Sequence, residues 1–230
     1  MEIVYIPRHG PHMALPPGWL ALPGKGLFKH RFGGESWQVI DPHPLFGGPT
    51  LLLTLDLADP ALKSLHCRGL SELPLPSYID CDLWLYRQDF LLRPQSREII
   101  VTRRSDPNDA PEPDCMFPNP LPEKTLQLKK MKQSEYPIDE NSYWRICDDF
   151  LGGPGFIRVL GPPIWLQYLE NIDCTCGAAM DYVASIGYEF GDNLSGFIEK
   201  EPFFIGEAAL YFFFCKQCGL ISVISQSAST

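Results

Sequence analysis

The sequence predicts a β-rich α+β fold, and three features carry the prediction. Proline and glycine account for 23 and 19 of the 230 residues. Because proline ends helices and interrupts sheet interiors, this punctuation implies many short strands joined by turns. Two apolar runs, at residues 208–215 (AALYFFFC) and 220–224 (LISVI, broken only by Ser222), have strand length and read as central strands buried on both faces. Residues 182–190 alternate: Tyr182, Ala184, Ile186, Tyr188 and Phe190 share one face, and Val183, Ser185, Gly187 and Glu189 the other. That is the period-two pattern of a strand with one apolar side.

Taken in chain order, the elements fall into an N-terminal half (1–104), a proline-rich acidic loop (105–123) and a C-terminal half (124–230). The first half holds the glycine pair Gly33 and Gly34, a turn with Pro42 and Pro44, an apolar strand at 51–57 (LLLTLDL) and an aromatic strand at 82–88 (DLWLYRQ). Trp19 and Trp37 lie in its proline- and glycine-rich stretches, where they either pack over the sheet or anchor an interface. The loop has six prolines and five acids in 19 residues. It has little to bury and reads as dispensable for folding. Residues 126–133 (LQLKKMKQ) form one helical turn or an edge strand, with the lysines a solvated face. The second half then repeats the earlier order with Gly152 and Gly153, Pro162 and Pro163, a strand at 164–169 (IWLQYL) and an aromatic strand at 209–217. Two related β-rich halves sharing one core would produce such a repeat, and one compact domain is expected.

The charge narrows the range of partners. With 19 basic and 28 acidic residues the chain carries a formal charge of −9. Affinity for nucleic acid rests on Lys and Arg displacing counterions from phosphates, so direct binding to nucleic acid is disfavoured and a basic protein partner is expected. The acidity is concentrated: residues 170–207 contain eight carboxylates and one lysine. The longest apolar run, eight residues, is far short of the roughly 18 to 20 that a membrane-crossing helix needs. The first ten residues, MEIVYIPRHG, lack the basic start and apolar core of a secretory signal. No membrane association and a cytoplasmic location are therefore expected.

Eight cysteines are present, and four of them form two tight pairs. Cys174-Thr-Cys176-Gly and Cys215-Lys-Gln-Cys218-Gly are separated by 38 residues. In each, a glycine after the last cysteine permits the turn that a metal knuckle requires. Each pair also sits where strands break, so two strand-end knuckles can bring four thiolates to one tetrahedral point. The implied cofactor is a structural Zn²⁺ in a zinc-ribbon-like site, with no open position for a reactive water. Redox thiols and free buried thiols remain as alternatives, while a disulfide framework is disfavoured by chain size and the lack of a signal. The scattered Cys67, Cys81, Cys115 and Cys147 read as inert core residues.

No catalytic motif emerges. There is no G-x-S-x-G elbow, no phosphate-binding loop around Gly24-Lys25-Gly26, and no G-x-G-x-x-G. His9-Gly-Pro-His12 reads as a surface turn. Asp148 and Asp149, adjacent carboxylates, read as solvated loop residues. The chain is expected not to be an enzyme.

The glycine pair at Gly33, LLLTLDLADP at 51–60, LGGPGF and PPIWLQ within 151–167, and GEAALYFFFC at 206–215 resemble the bacterial YwqG-like domain of unknown function. The arms CTCG and CKQCG are distantly similar to the C-terminal domain of programmed cell death protein two. The resemblance implies a β-rich fold built from related halves and supplies no activity or catalytic residues. Acidity, the absence of catalytic motifs and a rigid scaffold together suggest a non-enzymatic immunity protein that neutralises a basic secreted bacterial toxin, a nuclease. The alternative is a zinc-stabilised chaperone or scaffold for a basic client protein. The expected contact residues are Glu189, Asp192, Glu199 and Glu201, which lie in and around the turn at 191–196.

Overall fold

A computed structural model describes residues 18–42, 48–79, 87–104, 117–136, 140–167, 170–190, 195–198 and 201–227. Among these, the first half of the chain supplies β1 (Trp19–Pro23), β2 (Arg31–Phe32), β3 (Gln38–Ile40), β4 (Thr50–Asp56), a 3-10 turn (Pro60–Leu65), β5 (Glu72–Ser77), β6 (Gln88–Arg93) and β7 (Glu98–Arg103). The second supplies β8 (Lys124–Lys130), helix α1 (Glu140–Phe150), β9 (Leu151–Gly152), β10 (Ile157–Val159), β11 (Asp181–Ile186), β12 (Tyr188–Glu189), β13 (Ala208–Cys215) and β14 (Leu220–Ser227). Twelve strands join in the order β3-β7-β6-β14-β13-β11-β10-β1-β8-β2-β4-β5. Neighbours are antiparallel except β3 on β7, and β9 and β12 form a separate parallel pair. Strands from the two halves of the sequence therefore interleave in one sheet.

β13 lies near the middle because its sequence leaves no face for water. Leu210, Phe212 and Phe214 enter the main core, whereas Ala209, Tyr211 and Phe213 pack on the opposite face beneath α1. A fully buried Leu or Phe contributes roughly 1.5–3 kcal/mol, so an eight-residue run of this kind is stable only with cover on both sides. The main core has an aromatic centre: Phe32 meets Phe197 at 4.7 Å between ring centroids, and Phe203 stacks on Phe117 and Phe156 at 5.3 and 5.7 Å. On the other face, α1 docks through Ile146, Cys147 and Phe150, with Tyr143 completing an i, i+3, i+4, i+7 stripe.

Several expectations need correction. Residues 126–130 are a strand and not a helical turn: β8 pairs with β1 along Leu126–Lys130, whereas its other neighbour β2 reaches only Lys124 and Thr125, so this stretch has β1 as its ladder partner and leaves Lys129 and Lys130 exposed. Residues 164–167 are not a strand: Leu166 and Gln167 donate their backbone N–H groups to the side-chain oxygen of Gln226 at 2.9 and 3.1 Å, which replaces a ladder, and Trp165 lies flat on Tyr211. Asp148 and Asp149 belong to the last turn of α1 rather than to a loop, and Asp149 receives Arg158 at 3.2 Å. The alternating strand breaks at Gly187, its register shifts at Val183, and Val183, Ala184, Ser185 and Ile186 are all buried. The loop at 105–123 is not free of the core, since Phe117 and Leu121 are buried within it. Residues 105–116 of that loop, residues 82–86 of the aromatic strand, and His9 and His12 lie outside the described residues. Trp37 packs in the core, with the Arg97 guanidinium 6.0 Å from its ring.

Candidate metal centre

Sheet register brings the two cysteine arms together. β11 runs antiparallel to β13 with Asp181 opposite Phe214, so the chain entering β11 lies beside the chain leaving β13. The entering chain is a narrow hairpin closed by a bridge between Asp173 and Ala179, with Cys174 and Cys176 at its tip. The leaving chain is the β13–β14 connection, in which Cys215 pairs with Leu220 around Lys216, Gln217, Cys218 and Gly219. Both turns close on a glycine. Gly177 at φ +85° donates to the Cys174 carbonyl at 2.8 Å, and Gly219 at φ +75° donates to the Cys215 carbonyl at 2.9 Å. A side chain at either position would be strained by the backbone conformation itself.

The sulfurs of Cys174, Cys176, Cys215 and Cys218 all lie within 4.8 Å of one another. Two close approaches cross from one arm to the other, 3.3 Å for Cys174 to Cys218 and 3.6 Å for Cys176 to Cys215. Sulfurs held at about 2.3 Å from one tetrahedral ion stand about 3.8 Å apart, so the cluster has the dimensions of a four-thiolate metal site. Cys174 and Cys215 are buried and pack with Leu220, Leu91, Ala178 and Met180, whereas Cys176 and Cys218 are exposed. Burial pushes the Cys174 thiol up, but the Cys176 backbone N–H and the thiols of Cys218, Cys176 and Cys215 outweigh it and bring Cys174 down to about 7. Desolvation, then the Cys174 and Cys215 thiols, push Cys218 up.

A polar network ties the hairpin to the sheet. Arg87 donates to Asp89 at 2.8 Å, to the Ser222 hydroxyl at 3.1 Å and to the Asp173 carbonyl at 3.2 Å. Asp89 is buried and also receives the Ser222 hydroxyl. Lys216, between two of the cysteines, bonds the Ser64 carbonyl and the Asp181 carboxylate, each at 3.0 Å. The Cys67 thiol donates to the Lys216 carbonyl at 3.2 Å. Sequence reasoning did not find these supports, because their partners are remote in sequence; the only local sign is the i, i+2 pairing of Arg87 with Asp89 along one strand face.

The other expected residues are dispersed. Cys147 is buried on the core-facing side of α1, and burial pushes its thiol up to about 11, which fits an inert core residue. Cys81 and Cys115 lie outside the described residues, as do Asp192 and Glu199. Glu201 is exposed. Glu189 corrects the expectation placed on it: its carboxylate is buried and accepts the backbone N–H and hydroxyl of Ser195 and the N–H of Phe203. It clamps the chain that carries Phe197 and Phe203 into the core and is not a surface contact. Among the described residues, no helix is long and apolar enough to cross a membrane.

The chain matches no protein-family model, no curated protein and no solved structure among known proteins.

Proposed function

We propose that the cysteine centre holds one structural Zn²⁺ and that the chain is a non-enzymatic, cytoplasmic immunity protein that binds and neutralises a basic toxin nuclease. The observation that carries the metal reading is the convergence of four sulfurs from two glycine-closed turns. An all-thiolate tetrahedral set selects zinc or iron over harder cations. With every position taken by sulfur, the ion serves as a clamp between the β11 and β13 ends and not as a holder of reactive water. The repeated order of glycine pair, proline turn and aromatic strand supports reading the two halves as related. The support for a basic partner is the acidic stretch at 170–207, to which four thiolates and one Zn²⁺ would add a further charge of about −2.

Elemental analysis of the purified protein tests the metal, with one zinc per chain expected and stoichiometric iron, or no metal, overturning it. The protein that co-purifies tests the rest. A basic nuclease whose toxicity this chain suppresses when the two are co-expressed supports immunity. A basic client without toxicity supports the scaffold alternative, and an acidic partner removes both.

A further inference from the structure

We propose that the cysteine centre is also a peroxide-sensitive switch, which releases its metal by forming two disulfides across the arms, Cys174 with Cys218 and Cys176 with Cys215. The inference rests on the reading of the centre as zinc-loaded. Its basis is the way the sulfurs pair. Two sulfur–sulfur contacts, 3.3 and 3.6 Å, each join one arm to the other. Each also joins an exposed cysteine, Cys218 or Cys176, to a buried one, Cys174 or Cys215. Every prospective disulfide thus contains one cysteine on the solvent side of the centre and, in contact with it, a second on the core side. A structural centre enclosed on all sides would lack the first of these.

The chemistry balances with hydrogen peroxide as the oxidant. The exposed Cys218 thiolate attacks one peroxide oxygen; the S–O bond forms, the O–O bond breaks, and the departing hydroxide takes a proton and leaves as water. The Cys174 thiolate then attacks the Cys218 sulfur, forming the S–S bond and expelling the sulfenic oxygen as a second water after protonation. The same sequence at Cys176 and Cys215 consumes a second peroxide. In total, four thiolates, two peroxides and four protons give two disulfides, four waters and a free Zn²⁺, because disulfide sulfurs no longer bind the metal. Closing each pair to the disulfide length of about 2.05 Å draws the Cys215–Cys218 loop toward the hairpin. That loop holds Cys67 and Ser64 through Lys216, so its displacement reaches the 3-10 turn of the first half.

The test uses the wild-type protein. Its zinc is counted first. Peroxide is then added in steps, released zinc is read with a chromogenic chelator, and linkages are mapped by mass spectrometry after the remaining thiols are alkylated. The expected result is about one zinc released for every two peroxides consumed, with the two cross-arm linkages recovered and zinc rebinding after reduction. Cys147→Ser, which alters a sulfur outside the cluster, is expected to behave identically. Zinc retained while other thiols oxidise, linkages within an arm, sulfinic acids in place of disulfides, or loss of release in Cys147→Ser would each overturn the switch and leave the zinc reading standing. A protein that contains no zinc at the outset overturns the zinc reading, and the release with it.

Discussion

The Cys67 thiol donates to the main-chain oxygen of Lys216 at 3.2 Å, which ties the segment after the Pro60–Leu65 turn to the middle of the loop carrying Cys215 and Cys218. Ser64 is held by the same lysine. A metal fixing that loop therefore also fixes a segment about 150 residues earlier in the chain. Removal of zinc by a strong chelator should raise amide hydrogen exchange in the two cysteine turns and, in addition, at Leu62, His66 and Leu70, whose N–H groups close the turns of this segment. Exchange that rises only at the cysteine turns would show that the contact transmits nothing.

Replacing one ligand should separate the metal from ordinary packing. Cys215→Ser removes a thiolate at the end of β13, and losing a metal site costs several kcal/mol, roughly 10 °C of Tm in a chain of this size. Cys147→Ser alters a cysteine that is also buried but sits on the core-facing side of α1, outside the cluster. It should lower Tm by a few degrees and leave the zinc content at one. Calorimetry combined with metal analysis of both variants distinguishes the two roles; equal zinc content in both would remove Cys215 as a ligand.

What the sequence revealed, it revealed through short-range constraints. Cysteine spacing and the following glycine are local, so the turns at Cys174 and Cys215 were readable. The run at 208–215 was readable because cover on both faces forces it to be apolar throughout. Glu189 was misread because period-two alternation assigns it a polar face without showing that Ser195 and Phe203 fold over it. Residues 164–167 were misread because a single side chain some 60 positions away, Gln226, meets their backbone donors. The stripe Tyr143, Ile146, Cys147 and Phe150 was present in the sequence and marks α1; the adjacent Asp148 and Asp149 drew attention to charge instead of period. The strand order, interleaved between halves, depends on pairings that no local pattern encodes.

The proline-rich loop should divide into two parts with different energetics. Phe117 stacks on Phe203 at 5.3 Å, and Leu121 is fully covered. Replacing residues 105–116 by a short Gly/Ser linker should leave the melting temperature nearly unchanged, because lengthening or shortening a loop changes its closure entropy slowly. Phe117→Ala should cost about 3–5 kcal/mol, the range for truncating a buried phenylalanine. Urea midpoints measured for both variants check the contrast, and a small effect of Phe117→Ala would place it at the margin of the core.

Acid should weaken the link between β2 and β4. Burial pushes the Asp56 carboxyl up, but backbone N–H groups of Lys29 and Ala58, with the charge of His30, outweigh it and hold it below the usual carboxylate range. Those bonds measure 2.9 and 3.0 Å. A folded-state value below the unfolded one, about 4, gives stability that is present above the unfolded value and is lost as pH falls through the folded one. Wild-type protein should therefore be more stable than Asp56→Asn at neutral pH, with the gap closing toward about pH 3. Urea midpoints across that range provide the measurement, and a gap independent of pH would assign the effect to shape and not to charge.

The functional proposal makes its sharpest prediction about association rate. A nuclease must present Lys and Arg to phosphates, so a blocker gains speed and selectivity by offering carboxylates to the same surface. Glu201 is exposed, and Asp192 and Glu199 precede it in the same acidic stretch. Converting all three to lysine moves the local charge by six units, whereas Glu189 must be left intact because the fold uses it. A nearly unchanged Tm shows that the variant is folded. At about 10 mM salt, where the screening length is about 30 Å, association with the co-purifying basic partner should slow by roughly 10- to 100-fold. The difference should shrink as salt rises, since screening removes the steering that distinguishes the two proteins. If the on-rate of the folded variant at low salt equals that of wild type, this stretch does not guide the partner, and the interface lies on another face of the sheet.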